Sequence, residues 1–318
     1  MDGHFLTDIE IKQFKCFTDF KAAGFKRVNL IGGKNNVGKT AFMEACYINV
    51  HSTSINCLVT AIVIIKFMRE CLSFLQKIAE YKTLLNATRC YATNSNLRNC
   101  SYLIQEHDAL KEYQFSIDGQ AKTINDNELT IIIERIKNIE FIDNFGWNDY
   151  ELIGAYQSIQ KADQESELDS FIQEFDSSIA NFKVIGDKPQ CKTNGEYRDI
   201  SEFGDGLKHY ISIICALYAC ENGYLFIDEI DNGIHYSQLD RLWEIILTLS
   251  KKTNCQVFAS THSKEMLESF ARVATKLDEQ DISHTTLVKN QQQELKAITR
   301  DYKMLLDSIE QEREVRGW

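Results

Sequence analysis

Apolar and polar residues alternate near the start of the chain, which predicts strands before the first loop. From Phe5 to Phe17, Ile9, Ile11 and Phe14 alternate with Asp8, Glu10 and Lys12. A period of two is typical of a half-buried strand, so one or two strands are expected here. A further apolar strand is predicted from Asn29, and it runs into a glycine-rich segment followed by a helix-forming segment.

The middle of the chain, from His51 to Cys191, carries no recognised catalytic signature. Its clearest pattern predicts a helix from Glu165 to Phe182, because apolar residues recur there at helical spacing. The sole proline, Pro189, lies in a glycine-containing stretch that predicts a loop at the end of this region. The apolar positions of the predicted helix are Leu168, Phe171, Ile172, Phe175, Ile179 and Phe182.

The second half returns to short apolar runs of the kind found in buried parallel strands. Strands are predicted from Gly223 to Ile227 and from Gln256 to Ser260, each ending in polar residues. Two more strands, at 285–288 and 294–300, and a closing helix from Asp301 complete the pattern. Strands that alternate with helices predict an α/β fold.

Composition narrows the class of protein. The chain has 318 residues, 44% of them hydrophobic, and a formal net charge of −11. A net negative charge argues against a protein that coats nucleic acid through its overall charge. The longest apolar run, from Ile55 to Ile65, is too short to cross a bilayer, and the first residues lack a signal-peptide pattern, so a soluble, cytoplasmic protein without a membrane partner is expected. Ten cysteines without a C-x-x-C pair favour free thiols over a metal site.

The glycine-rich segment after the first apolar strand predicts a phosphate-binding loop. Its pattern is Gly33-x4-Gly38-Lys39-Thr40, placed between a strand and a helix. Glycines let the backbone turn tightly and point N–H groups at phosphate oxygens, and the helix start adds a positive dipole end. Lys39 is expected to reach the terminal phosphates of ATP and Thr40 to hold Mg²⁺. The predicted nucleotide-binding residues are Gly33, Lys34, Asn35, Asn36, Val37, Gly38, Lys39 and Thr40.

Two acids, Asp228 and Glu229, follow the strand that ends at Ile227. Successive residues at a strand end point in different directions, so Asp228 can support the metal while Glu229 deprotonates the attacking water. In isolation an N-cap or two solvated acids would explain the pattern equally well. His262, at the end of the next strand, is a candidate hydrogen-bond donor to the γ-phosphate.

A second glycine pair, Gly204-Asp205-Gly206, precedes an apolar helix from Tyr210 to Ala219. Backbone N–H groups at this helix start predict a second phosphate contact, made either within the chain or across a dimer. A plain glycine turn before a core helix is the alternative.

The ordered motifs GGKNNVGKT, SEFGDGLKH, YLFIDEIDNGIH and STHS resemble the ABC-class ATPase heads of the SMC and OLD type, and more closely the compact AAA-labelled ATPases of prokaryotic anti-phage systems. The opening IEIKQFKCF and the ending EREVRGW, with Glu312, Glu314 and Arg316, are similar to that family as well. The resemblance implies a P-loop fold with a mixed sheet flanked by helices. It covers roughly residues 1–50 and 195–318, and the domain prediction is an ATPase core from these ranges with a mainly helical insertion, with some strands, at 51–194.

The resemblance also implies residue roles. Glu229 would be the catalytic base, His262 the γ-phosphate switch, and Gly204, Asp205 and Gly206 the signature loop that reaches ATP on a second subunit. The connecting loop, Asp231 to His235, would lie at that interface. Gly204 replaces the usual signature serine, so only backbone donors remain, and no Q-loop glutamine is assigned, although Gln105 and Gln114 are present.

Three functions compete at this point. The first is an ATP-driven homodimer or higher homo-oligomer that controls a separate effector, such as a nuclease, in anti-phage defence. The second is an SMC-like ATPase that acts on nucleic acid in repair or maintenance, and it would use a basic groove. The third, a transporter subunit, is disfavoured by the altered signature and the long middle region. The candidate groove residues of the second are Lys12, Lys15, Lys21, Lys26 and Arg27.

Overall fold

The computed structural model describes residues 5–53, 57, 60–61, 65, 100–106, 109–115, 136–144, 146–290 and 292–311. In chain order its strands are β1 (Asp8–Phe14), β2 (Phe17–Ala23), β3 (Val28–Gly33), β4 (Cys100–Glu106), β5 (Ala109–Phe115), β6 (Ile139–Ile142), β7 (Ile179–Ile185), β8 (Lys188–Thr193), β9 (Glu196–Asp199), β10 (Tyr224–Ile227), β11 (Gln256–Ser260), β12 (Ile282–Lys289) and β13 (Leu295–Asp301). The helices with complete bounds are α1 (Lys39–Val50), α2 (Asp149–Lys161), α3 (Glu165–Phe175), α4 (Asp205–Ala219), α5 (Leu239–Lys252), α6 (Lys264–Lys276) and α7 (Tyr302–Glu310).

A six-stranded mixed sheet forms the centre of the fold, in the order β13-β12-β3-β11-β10-β6. Five of these strands run parallel, and β13 pairs antiparallel with β12 at one edge. Parallel strands share one carboxyl edge, where ligands bind in open α/β sheets. The α/β fold with a mixed sheet flanked by helices is therefore confirmed.

The two faces of this sheet carry two different apolar clusters. Along β3, Leu30 belongs to the cluster that packs against α4, α5 and α6, whereas Ile31 belongs to the cluster that packs against α1, β1 and β2. Phe226 and Phe258 stack on the α1 face with their ring centroids 5.4 Å apart. Side chains alternate across a strand, so one short run of apolar residues supplies both layers. Helix α1 and helix α4 consequently lie on opposite faces of the sheet.

A four-stranded antiparallel sheet, β2-β1-β4-β5, joins the N-terminal hairpin to a later hairpin. The prediction of one or two strands before the phosphate-binding loop is confirmed by β1 and β2. Gln105 lies in β4 and Gln114 in β5, away from the six-stranded sheet.

The predicted helix from 165 to 182 is wrong in its second half. Helix α3 ends at Phe175, Asp176 is extended, and Ile179 and Phe182 lie in β7. The register of β7 against β8 shifts between Ile179 and Asn181, as in a β-bulge. This shift leaves the two buried residues three positions apart, a spacing that imitates a helix.

The loop predicted around Pro189 is also wrong, because this residue lies in β8 of the antiparallel sheet β7-β8-β9. Pro189 pairs with Val184, whereas pairing with β9 begins only at Gln190. The missing N–H therefore falls at the end of the strand, where proline is tolerated.

The described part of residues 51–194 contains five strands as well as α2 and α3. Strand β6 pairs with β10 in the central sheet, and β4 pairs with β1. The division into an ATPase core and an insertion at residues 51–194 stays a prediction. These two strand pairings join the predicted insertion to the predicted core. The ending EREVRGW lies outside the described residues.

Seven cysteines in the described part of the chain are free thiols, and all of them except Cys16 are buried. None of the described helices is both long and apolar enough to cross a membrane.

Candidate functional site

The predicted phosphate-binding loop connects β3 to α1 at the carboxyl edge of the central sheet. Its backbone is left-handed at Gly33 (φ +147°), Asn36 (φ +59°) and Gly38 (φ +99°). A Cβ on Gly33 would lie 2.8 Å from the Leu287 carbonyl oxygen, and one on Gly38 would lie 2.6 Å from Cys16 Sγ. Both glycines are therefore required by conformation and by close packing. Lys34, Asn35 and Asn36 are exposed, while Val37 is buried beneath the loop.

Lys39 is buried in the first turn of α1 and folds back over the loop. Its Nζ donates to the carbonyl oxygens of Gly33 (3.0 Å) and Lys34 (3.2 Å). Burial lowers the pKa of the Lys39 ammonium, and the carboxylates of Glu229, Asp228 and Asp231 act in the opposite direction. A cation held against the backbone of this loop suits the charge of a nucleotide phosphate.

A chain of short hydrogen bonds joins α1 to the ends of β10 and β11. Thr40 Oγ1 donates to Asp228 Oδ2 (2.7 Å), and Ser260 Oγ donates to Asp228 Oδ1 (2.6 Å). Asp228 is 2% exposed, so each of its two oxygens has a partner in a site shielded from water. The sequence-predicted metal residues Thr40 and Asp228 are thus in direct contact.

Ser260 is a component of the site that the sequence reasoning did not single out. Strands β10 and β11 pair with Ile227 opposite Ala259, which brings Ser260 beside the acids that follow Ile227. Its Oγ also accepts a hydrogen bond from the Glu229 backbone N–H (2.9 Å). The sequence signal for Ser260 was its position at the end of a predicted strand. That strand pairs with the strand that precedes Asp228 and Glu229.

Glu229 has a left-handed backbone, with φ +54°. This conformation is uncommon for a residue with a side chain and tends to occur at functional sites. The turn is fixed on both sides, because Ser260 Oγ accepts from Glu229 N and the Ser260 carbonyl accepts from Ile230 N (3.0 Å). The carboxylate of Glu229 is half-buried and acts electrostatically on Lys39.

His262 is exposed, at the same edge of the sheet, between Thr261 and Ser263. The residues on either side are anchored. Thr261 N donates to the Ile31 carbonyl of β3 (3.1 Å), and Ser263 Oγ caps α6 by accepting from Met266 N (3.1 Å). The backbone on both sides of His262 is therefore fixed, next to the strand β3 that leads into the predicted phosphate-binding loop.

The glycine pair lies at the start of α4, on the other face of the sheet from α1. Gly204 (φ +85°) precedes the helix, and Gly204 and Asp205 are exposed. A Cβ on Gly206 would lie 2.9 Å from the carbonyl carbon of Gly233 and closer still to its oxygen. The structure thus brings this predicted signature loop against the connecting loop, Asp231 to His235.

One further acid adjoins the site. Asp143 follows β6 at the carboxyl edge and is buried, and the Ile142 carbonyl accepts from Asp228 N (2.8 Å). The pairing of β6 with β10 puts Asp143 beside the Asp228 strand end, which sequence spacing alone did not reveal.

The donor set fits a hard divalent cation. Thr40 Oγ1 and Asp228 Oδ2 lie within 2.7 Å of each other and offer a hydroxyl and a carboxylate oxygen, ligands that Mg²⁺ prefers alongside waters and substrate phosphates.

The fold and these motifs together define a P-loop ATPase. Two solved structures share the fold over nearly all of the chain. One is an Smc head bound to the C-terminal winged-helix domain of ScpA, with TM-score 0.54, 11% identity and coverage of 94% of this chain and 99% of that one. The other is an Smc head domain with an extended coiled coil, bound to the C-terminal domain of ScpA, derived from Pyrococcus furiosus, with TM-score 0.52, 11% identity and coverage of 98% and 100%.

The sequence signature of the AAA ATPase domain matches residues 65–267, well over half of the chain. The chain belongs to this family and is an ATPase. The match contains the Asp228-Glu229 pair, the glycine pair and His262, while the phosphate-binding loop precedes it. A protein from Helicobacter pylori described as an ATP/GTP phosphatase is 26% identical over 341 aligned residues, which cover 88% of this chain and 90% of that protein.

Proposed function

We propose that this ATPase is a switch that dimerises head-to-head around ATP and controls a separate effector protein. Anti-phage defence is the proposed setting, and it rests on the resemblance of the four motifs. In each site, one subunit supplies the phosphate-binding loop, Asp228, Glu229 and His262. The second subunit supplies Gly204, Asp205 and Gly206.

The proposed chemistry is in-line attack of water on the γ-phosphate. Glu229 takes a proton from that water, and its backbone is held in a left-handed conformation directly after Asp228. Lys39 and the loop N–H groups stabilise the charge on the phosphate oxygens. Thr40 and Asp228 would hold Mg²⁺, which supplies further charge neutralisation when bound. His262 donates a hydrogen bond to the γ-phosphate and so responds to its presence.

The observation that carries the two-subunit arrangement is the position of α4. Helix α1 packs in one apolar cluster and α4 in the other, on opposite faces of the central sheet. The start of α4 is nevertheless exposed at Gly204 and Asp205. A helix N-terminus with free access to solvent, on the face away from its own phosphate-binding loop, suits contact with nucleotide on another subunit.

Charge pairing weighs against the alternative of direct action on nucleic acid. Lys12 and Lys21 both pair with Glu10, at 3.6 and 2.8 Å, and Lys15 pairs with buried Glu44. Arg27 is 5% exposed and lies within 2.5 Å of Glu279. Cations that are already neutralised or buried release few counterions from a phosphate backbone. These residues would therefore bind nucleic acid weakly.

The test is the native mass of Glu229→Gln protein purified with Mg-ATP from cells that carry its own genetic neighbourhood. A nucleotide-bound dimer or larger assembly with a second protein is the expected result, and the second protein would be the effector. A nucleotide-bound homodimer without a partner, together with a shift on added DNA, would favour the nucleic-acid function. An ATP-bound monomer would overturn the two-subunit site.

A further inference from the structure

The start of α4 is packed backbone to backbone on the connecting loop. A Cβ on Gly206 would collide with the Gly233 carbonyl. A Cβ on Gly233 would lie 3.1 Å from both Gly206 N and Gly206 Cα. Gly233 has φ +72°, so it is held by conformation as well. Such close contact means that a displacement of either segment must move the other.

His209 lies one turn further along α4 and is 5% exposed. Its Nδ1 would be 3.7 Å from a Cβ on Gly146, in the segment that follows β6. Burial lowers the pKa of His209 to about 4, while a hydrogen bond with the Ile230 backbone and the charge of Asp231 act in the opposite direction. The imidazole is therefore neutral at pH 7, and it lies between α4, the β6 segment and the start of the connecting loop.

The connecting loop is also bonded to the two other segments around the site. Thr261 Oγ1 donates to Asp231 Oδ1 (2.7 Å), directly before His262. Asn232 Nδ2 donates to the Asn144 carbonyl (2.6 Å). A movement at the His262 backbone thus reaches Asp231, whose charge acts on His209.

His209 Nε2 is buried without a hydrogen-bond partner. An unpaired buried polar atom costs free energy, so a shift of the connecting loop that offered this nitrogen a partner would be favoured. A buried ring nitrogen that is unpaired in this arrangement and would be paired in another is what a two-state coupling element requires.

We propose that His209 is a positioning residue that couples the connecting loop of its own chain to the signature loop that acts on ATP of the second subunit. This inference rests on the proposed function. The switch residue His262 and the signature loop are then connected through Thr261, Asp231 and His209. Release of the γ-phosphate at one site would be communicated to the contact made at the other.

The first experiment compares His209→Leu with His209→Gln, which keeps a hydrogen-bonding group. For His209→Leu we expect ATP affinity, measured by direct titration, to stay within about twofold, and kcat to fall on the order of tenfold, a typical size for coupling between sites. His209→Gln should recover part of kcat. Ser212→Ala is the matched control, because Ser212 is buried on the same helix and its Oγ bonds only one turn back, to the Lys208 carbonyl (2.7 Å).

The second experiment mixes two impaired variants, one slow in turnover and one deficient in ATP binding. In a dimer of His209→Leu with Lys39→Ala, one site combines an intact phosphate-binding loop with an intact signature loop. If His209 acts in trans, equal mixing restores roughly a quarter of the wild-type rate, since half of the randomly paired dimers are mixed and each has one complete site. Glu229→Gln mixed with Lys39→Ala is the control, and it should restore nothing, because both residues belong to the same half-site.

The outcomes separate the possible failures. If wild-type protein dimerises with ATP but the mixture of His209→Leu and Lys39→Ala shows no rescue, His209 acts only on the ATP site of its own subunit. That result would overturn the proposal. Loss of ATP affinity equal to the loss of kcat would also overturn it. A wild-type rate per subunit that is independent of protein concentration, with an ATP-bound Glu229→Gln monomer, would instead overturn the dimer and this inference with it.

Discussion

The two halves of the proposed ATP site are built in different ways. Around Asp228, side chains from α1, β10 and β11 make short hydrogen bonds within one chain, and most of these groups are buried. Around Gly206, the packing is between glycine backbones, and the neighbouring Gly204 and Asp205 are exposed. The first half is preorganised in a single chain, whereas the second half has its phosphate-facing groups open to solvent. Binding of ATP should therefore depend on the first half, and turnover on both.

Glu229→Gln should produce the largest change in this comparison. Removal of a general base lowers kcat on the order of 10² to 10⁴-fold. ATP affinity should change little, because the phosphate-binding loop is untouched. Steady-state phosphate release and an equilibrium titration measure the two quantities. Glu221→Gln, which changes an exposed carboxylate, is the control. Near-normal hydrolysis by Glu229→Gln would show that Glu229 is not the catalytic base.

Lys39→Ala tests the preorganised half directly. Hydrogen bonds to charged groups contribute about 1.5 to 3 kcal/mol each, so ATP affinity should fall on the order of 100-fold. The measurement is a titration of monomeric protein at low concentration. Lys303→Ala is the control for loss of a cation. An unchanged affinity would contradict the assignment of the loop.

Ser260→Ala should have a smaller effect, spread over binding and turnover. It removes the hydrogen bond to Asp228 Oδ1 and the acceptor for the Glu229 N–H. Leaving such buried groups unpaired costs about 1 to 3 kcal/mol, which should appear in the free energy of unfolding and as a drop in kcat of about tenfold. Ser308→Ala, which removes a hydroxyl bonded within α7, should lower stability without affecting kcat. Normal turnover by Ser260→Ala would show that the acids keep their geometry without it.

Gly206→Ala should give the smallest change in binding and is the sharpest probe of the second half. Overpacking against Gly233 costs about 1 to 3 kcal/mol of stability and should reduce turnover while leaving ATP affinity of the monomer unchanged. Gly154→Ala is the matched control, because a Cβ there meets nothing within 4 Å in helix α2. That variant should be more stable by about 0.5 to 1 kcal/mol and fully active. A loss of monomer affinity in Gly206→Ala would show that the two halves are not separable.

Sequence reasoning reached the central fold and the first half of the site because both are local patterns. The strand, loop and helix around Gly33 to Thr40 are contiguous, and so is the strand before Asp228. It failed where a pattern was ambiguous or the contact was distant. The bulge in β7 imitated a helical spacing between Ile179 and Phe182, and the roles of Ser260, Asp143 and His209 depend on strand pairing and helix packing.

The place of β3 in the central sheet has a consequence for synthesis on the ribosome. The strand that precedes the predicted phosphate-binding loop, β3, is made before the other strands of the central sheet, yet its two neighbours are β11 and β12. Residues 28–33 therefore lack their first parallel partner until translation has passed residue 260, and their second until it has passed residue 289. The partner of Thr40, Asp228, also emerges late. A nascent chain should thus acquire its nucleotide site only after residue 289 has been made, so the order of the strands would delay the proposed ATP-driven pairing until the central sheet can assemble.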